Sequence, residues 1–140
     1  MVATWGLALA VMAVATYYDL RWRVIPNWLI VAYILLSTPI VVLSGGLWLH
    51  LAAAVVVFVV LAVLANLTGG IGGGDVKLIA ATILLLGPLL GIWVWMLGLA
   101  LSCVGGLVLI CTGRRPKLVR LPMAPYLLLG AVLSVFISPR

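Results

Sequence analysis

Six apolar stretches, separated by short polar turns, account for nearly the whole length of this 140-residue chain. The stretches run over about 2–18, 26–43, 47–67, 75–86, 89–111 and 121–137. Apolar residues surround each of them, so no polar face is left to meet water. A small globule cannot bury that much apolar surface, because it exposes a large share of its area. With 67% hydrophobic and 7% charged residues, the chain reads as an integral membrane protein. The expected fold is all-α, a single polytopic domain over residues 1–140 with six transmembrane helices, each near the length that crosses a bilayer. The N-terminal stretch has no basic residues before its apolar run, unlike a cleavable signal, and reads as a retained first span.

Charge tests this topology. The formal net charge is +6, an excess that in such a chain reports orientation rather than a nucleic-acid partner. Arg21, Arg23, Lys77, Arg114, Arg115, Lys117 and Arg120 all fall in the turns after the first, third and fifth spans. Only Arg140 falls on the other side. Basic residues gather on the cytoplasmic side of membrane proteins. The turns therefore face the cytoplasm, both termini face outward, and the location is the inner (cytoplasmic) membrane. Trp5, Trp48, Trp93 and Trp95 near one boundary, and Tyr17, Tyr18, Trp22, Trp28 and Tyr126 near the other, suit rings that prefer the headgroup layer. The lipid bilayer is thus an expected partner. Cys103 and Cys111 form no CxxC pair and no Cys/His cluster, so no metal and no disulfide framework is expected.

The chain has two acidic residues, Asp19 and Asp75. Asp19 follows the first span, and Asp75 begins the fourth after a glycine-rich loop, "GGIGGGDVKL". The topology puts both at one depth, just inside the cytoplasmic surface. A carboxylate at a span centre costs about 2.5–3.5 kcal/mol on insertion scales, less near the interface, so each needs a reason. Two carboxyls brought within a few ångströms cannot both ionise comfortably and come to share a proton. Such a pair suits peptide hydrolysis: one member takes a proton from water, and the other hydrogen-bonds the carbonyl under attack. Structural roles stand beside this reading. Asp19 can pair with Arg21 or Arg23, and Asp75 can cap the fourth helix. His50 falls at the outer end of the third span and reads as interfacial, and Asn66 is placed to reach the glycine loop. The loop lacks the spacing of a nucleotide-binding P-loop.

The motif "GGGDVKL" resembles the GxGD signature of the type IV prepilin peptidases, with Gly72, Gly74 and Asp75 in the motif positions and Lys77 in its usual setting. "DLRWRVIPN" is similar to the family's first aspartate region through Asp19, Ile25, Pro26 and Asn27, and "LPMAPYLLLG" to its last-span start through Pro122, Pro125 and Gly130. The resemblance implies a GxGD-type aspartic endopeptidase with six spans that cuts the basic leader from prepilins or pilin-like proteins at the cytoplasmic face, without a cofactor. It makes Asp19 and Asp75 the catalytic pair. Gly72 and Gly74 would shape the loop, with Lys77, Pro26 and Asn27 as further loop-shaping or substrate-contacting positions. Larger bacterial members carry an additional cytoplasmic region and also methylate the new N-terminus. Nothing here corresponds to that region, so cleavage without methyl transfer is expected. The size is similar to the stand-alone peptidases of tight-adherence (Flp-type) pilus systems, with archaeal preflagellin peptidases as the alternative. Two rival functions remain at this point. One is a small proton-coupled transporter, which would want its acids near the bilayer midplane. The other is a non-catalytic pilus-assembly factor.

Overall fold

A computed structural model describes residues 2–68, 72–111 and 123–137. They form six helices, with no strand among the described residues: α1 (Val2–Trp22), α2 (Asn27–Leu43), α3 (Leu47–Thr68), α4 (Gly73–Leu86), α5 (Pro88–Cys111) and α6 (Ala124–Ile137). Two of them, α3 over Leu47–Leu67 and α5 over Pro88–Val108, are long and apolar enough to cross a membrane, while α2 and α6 are shorter apolar helices.

The helix ends follow local chemistry more closely than the apolar runs do. The apolar run of α1 ends at Tyr18, yet the helix continues to Trp22, because Asp19, Leu20 and Arg21 are all compatible with a helix and no proline or glycine intervenes. Arg23 then turns into the left-handed region, with φ 54°, and its N–H closes onto the Asp19 carbonyl at 2.9 Å. This is the usual way a helix ends, although glycine more often occupies that position. Pro26, expected inside the first turn of the second span, is instead the N-cap of α2, with extended φ −68° and ψ 137°. Helix α4 begins at Gly73, two residues earlier than the apolar pattern suggests.

The shortest interhelical connection is Gly87 alone, between α4 and α5. Its φ of +84° makes a reversal that a side chain would resist. His50 of α3 sits against this turn, and its Nδ1 donates to the Leu84 carbonyl at 3.0 Å. That carbonyl lies in the last turn of α4 and has no partner within its helix. A Cβ on Gly46 or Gly87 would come within 3.1 or 2.8 Å of His50 Nε2, so both glycines leave room for the ring. The histidine placed at the outer boundary by sequence is therefore a clamp between α3 and α4.

Helix α4 is the centre of the molecule. Apart from Lys77, every residue from Val76 to Leu86 is buried, and α1, α2, α3 and α5 all pack against it. Around this axis α5 pairs closely with α6, and α6 with α1. The α5–α6 seam is made of small residues that let the two backbones meet. A Cβ on Gly130 would lie 2.7 Å from the Val94 carbonyl oxygen and 2.8 Å from the Gly98 nitrogen. The outward faces of α3 and α5 carry exposed Val, Leu, Met and Trp side chains, the surface expected where the surroundings are hydrocarbon.

Candidate active site

Asp19, in the last turn of α1, and Asp75, the third residue of α4, line one cavity of about 220 Å³, together with Arg23, Val24, Ile25 and the run Gly72–Gly74. The two carboxyls are close enough to act on each other electrostatically. Residues separated by 56 positions meet because α1 and α4 pack against each other with their polar ends at the same level.

Each aspartate is held by a helix end. The Asp19 carboxyl accepts the Ala124 N–H through Oδ2 at 3.1 Å. Ala124 opens α6, so this N–H is one that the helix itself leaves unpaired, at the end where the dipole favours an anion. Asp19 is only 7% exposed. Burial pushes its carboxyl above the ordinary carboxylate range, opposed by the Ala124 hydrogen bond and by the Arg23 charge. Arg21, the other basic residue that sequence offered as a partner for Asp19, instead donates to the Tyr17 hydroxyl at 3.0 Å and lies over the Trp22 ring at 5.0 Å.

Asp75 sits where a capping-box acid sits. Gly72 is the N-cap of α4, and its N–H reaches the carboxyl three residues on, the half of that motif in which the side chain folds back onto the N-cap. The N-cap is thus Gly72 rather than Asp75, which the sequence offered for that role; Asp75 serves the helix start from inside the first turn. Its other oxygen, Oδ1, is buried and has no hydrogen-bond partner among the described residues. A cap needs one oxygen; the second is left without a partner.

The glycines acquire a steric reason. A Cβ on Gly72 would stand 2.8 Å from Asp75 Oδ2, and one on Gly74 would stand 3.0 Å from the Ile25 Cβ. The first keeps space for the folded-back carboxyl, and the second lets the segment before α2 close against α4. Gly72→Ala meets only the end of a rotatable side chain. It is expected to leave the thermal midpoint within a degree or two while turning the Asp75 carboxyl out of place. Where a carboxyl pair does the chemistry, a displacement of this kind costs about 10²-fold in rate, which an activity assay of the purified variant measures.

Lys77, Asn27 and Pro26 lie outside the cavity lining. Lys77 Nζ donates to Asn27 Oδ1 at 2.9 Å, joining the N-terminal parts of α4 and α2, while Pro26 directs the chain from Ile25 in the cavity to Asn27 at that bond. Asn66 does not serve the glycine loop through its amide nitrogen, which donates to Ala62 of its own helix at 2.9 Å. Gly69, Gly70, Pro122 and the basic run Arg114–Arg120 lie outside the described residues. The Ala124 N–H was missed by sequence reading; Arg23, offered there as a partner for Asp19, does line the cavity, brought to it by a left-handed turn that sequence did not show. Pro125 marks a helix start, and so hinted at unpaired N–H groups nearby, but nothing local tied them to Asp19. A non-glycine residue in this conformation carries a cost of order 1 kcal/mol. Arg23→Gly is therefore expected to melt no lower than wild type in the same detergent. A fall of several degrees would show that the arginine side chain, rather than the turn, dominates there.

Among the described residues no group of three or more His, Cys, Asp or Glu side chains gathers to hold a metal ion, and Cys103 and Cys111 are free and exposed on α5.

Residues 6–111 match the type IV leader peptidase family (Peptidase_A24). The chain is 27% identical over 129 residues to the prepilin leader peptidase/N-methyltransferase of Bacillus subtilis (strain 168), covering 90% of this chain and 52% of that protein. The chain thus spans about half the length of this relative. No solved structure matches it.

Proposed function

From the chain's membership of the type IV leader peptidase family, we propose that it is a membrane aspartic endopeptidase that removes the basic leader from a type IV prepilin-like protein at the cytoplasmic face of the membrane. The observation that carries this reading is that the only two acids in the sequence line the same cavity. Asp75 keeps one buried oxygen unpartnered.

Asp19 and Asp75 act as a coupled pair holding one proton between them, and the pair titrates as a unit. Its ionised member takes a proton from a water in the cavity, which at about 30 Å³ per water has room for the nucleophile beside a peptide backbone. The water attacks the scissile carbonyl carbon. The protonated member hydrogen-bonds the carbonyl oxygen and steadies the tetrahedral intermediate, and a carboxyl then protonates the departing amine. Gly72–Gly74 admit the substrate backbone without a side chain in its way. The Ala124 N–H holds the Asp19 carboxyl in one orientation, so that it meets the reacting atoms already positioned.

The same reading places six helices across the bilayer in one domain, with both termini outside and the basic turns in the cytoplasm. Helix α4, of 14 residues, reaches about 21 Å against a hydrocarbon core of about 30 Å. The site at its N-terminus is thereby drawn below the membrane surface, with protein rather than lipid around the glycine-rich backbone. A proton relay would want its acids near mid-helix, whereas these two sit at helix ends. The proposal covers cleavage and does not extend to the methyl transfer in the name of the Bacillus subtilis protein. Its test is leader removal from a prepilin by the purified protein in liposomes. Release of the leader at a single bond is the expected result, and intact prepilin across several candidates would contradict it.

A further inference from the structure

Beside the catalytic cavity, a second and larger hollow of about 420 Å³ lies between α2, α3 and α4. On α4, Lys77, Ala80, Ala81 and Leu84 follow the spacing that puts residues on one helix face. The two alanines form a low floor, and Val31 of α2 and Val55 of α3 stand on the walls. Both valines are more than half exposed, at 55% and 52%, so the groove opens sideways to the surroundings of the helices. The distance from Lys77 to Leu84 is about 10 Å, or two helical turns. One end is closed by the Lys77–Asn27 hydrogen bond. That end adjoins the catalytic cavity: Lys77 is two residues from Asp75, and Asn27 two from Ile25, both of which line it.

We propose that this groove receives one face of the apolar helix of the substrate, the segment that continues into the bilayer from the bond to be cut. The inference rests on the leader-peptidase reading and adds where the uncut part of the substrate binds. A polypeptide leaving the cavity into hydrocarbon must be helical, because no water is there to satisfy its backbone. Its side chains must be apolar to match the walls. An alanine floor lets a helix approach closely, as small residues do at membrane helix contacts. The groove's continuity with the cavity fixes which helix this is. Held there, the substrate presents its junction to Asp19 and Asp75 without acidic groups on the enzyme to attract the leader.

The test fills the groove from its exposed walls, so that the buried core is left alone. Val31→Trp and Val55→Trp are assayed in liposomes of phosphatidylethanolamine and phosphatidylglycerol on two substrates: a prepilin with its membrane helix, and a soluble peptide that spans the cut but ends before the helix. The ratio of kcat/KM for the prepilin to that for the peptide is expected to fall at least tenfold, through KM. Val104→Trp, an equally exposed position on α5 away from the groove, should leave the ratio at its wild-type value. In addition, Val55→Cys, with Cys103 and Cys111 replaced, should cross-link to a cysteine in the prepilin helix, and Val104→Cys in the same background should not. An unchanged ratio with no cross-link at 55 overturns the proposal and leaves the groove to lipid chains. Wild-type protein that cuts neither substrate overturns the leader-peptidase reading, and this inference with it.

Discussion

Asp19→Asn and Asp75→Asn are each expected to lower leader cleavage by at least about 10³-fold, and the double variant to be no worse than either single one. General acid–base groups contribute about 10²–10⁴ each, and groups that act as one unit lose their effect together rather than additively. Asparagine keeps the shape of each side chain. At position 19 its amide oxygen can still accept the Ala124 N–H that Asp19 accepts at 3.1 Å. At position 75 it can still accept from Gly72, the N-cap of α4. The fold should therefore survive while the shared proton and the negative charge disappear. The structural readings of the two acids predict the opposite pattern. If the acids served only as caps or hydrogen-bond partners, asparagine would keep those bonds, and cleavage would stay at the wild-type rate. Cleavage rate and thermal midpoint, measured on the same preparations, separate the two. Either single variant cutting at the wild-type rate would remove that aspartate from the mechanism.

Gly130→Val is expected to damage stability and cleavage together, at a site remote from the aspartates. A Cβ at this position meets the Val94 carbonyl oxygen at 2.7 Å and the Gly98 nitrogen at 2.8 Å. Both are backbone atoms, so no side-chain rotation relieves the clash. Helices α5 and α6 must separate, and overpacking of this kind costs up to about 3 kcal/mol. The consequence reaches the active site because α6 supplies the Ala124 N–H to Asp19 and packs on α1, which carries Asp19. Denaturant titration in detergent should show the loss of stability. Cleavage assayed well below the unfolding midpoint should still fall, because Asp19 has lost its positioning bond. Full activity in the folded variant would show that the Ala124 contact is dispensable. The contrast with Gly72→Ala, in which a rotatable carboxyl rather than backbone is in the way, makes the two glycines complementary probes.

Much of the architecture was legible because membrane burial writes itself as unbroken apolar runs. Six stretches became six helices, and the polar turns at Ser44–Gly46 and Gly87 fell where the runs stop. Helix ends were less legible, since helicity and apolarity end for different reasons: α1 outlasts its apolar run to carry Asp19 and Arg21. The two acids stood out through scarcity, and topology placed them at one level. Their convergence on one cavity depends on which helices touch, and uniformly apolar surfaces do not encode that. For the same reason the Ala124 N–H, the left-handed Arg23 and the clamp of His50 on Leu84 were out of reach. The first and last are contacts with the backbone end of another helix, and the Arg23 turn closes the end of its own. The glycines were visible as a motif, but their reason, room for a carboxyl at Gly72 and for Ile25 at Gly74, emerged only with coordinates.

The account turns on water activated jointly by Asp19 and Asp75, and a single turnover in H₂¹⁸O tests this most directly. Excess enzyme is mixed with prepilin in labelled water, and the leader and the enzyme's own peptides are weighed by mass spectrometry. The account predicts one ¹⁸O in the new C-terminal carboxylate of the leader and none in the side chains of Asp19 or Asp75. Label in either aspartate would mean that a carboxylate attacked the substrate itself, and would contradict the shared-proton mechanism.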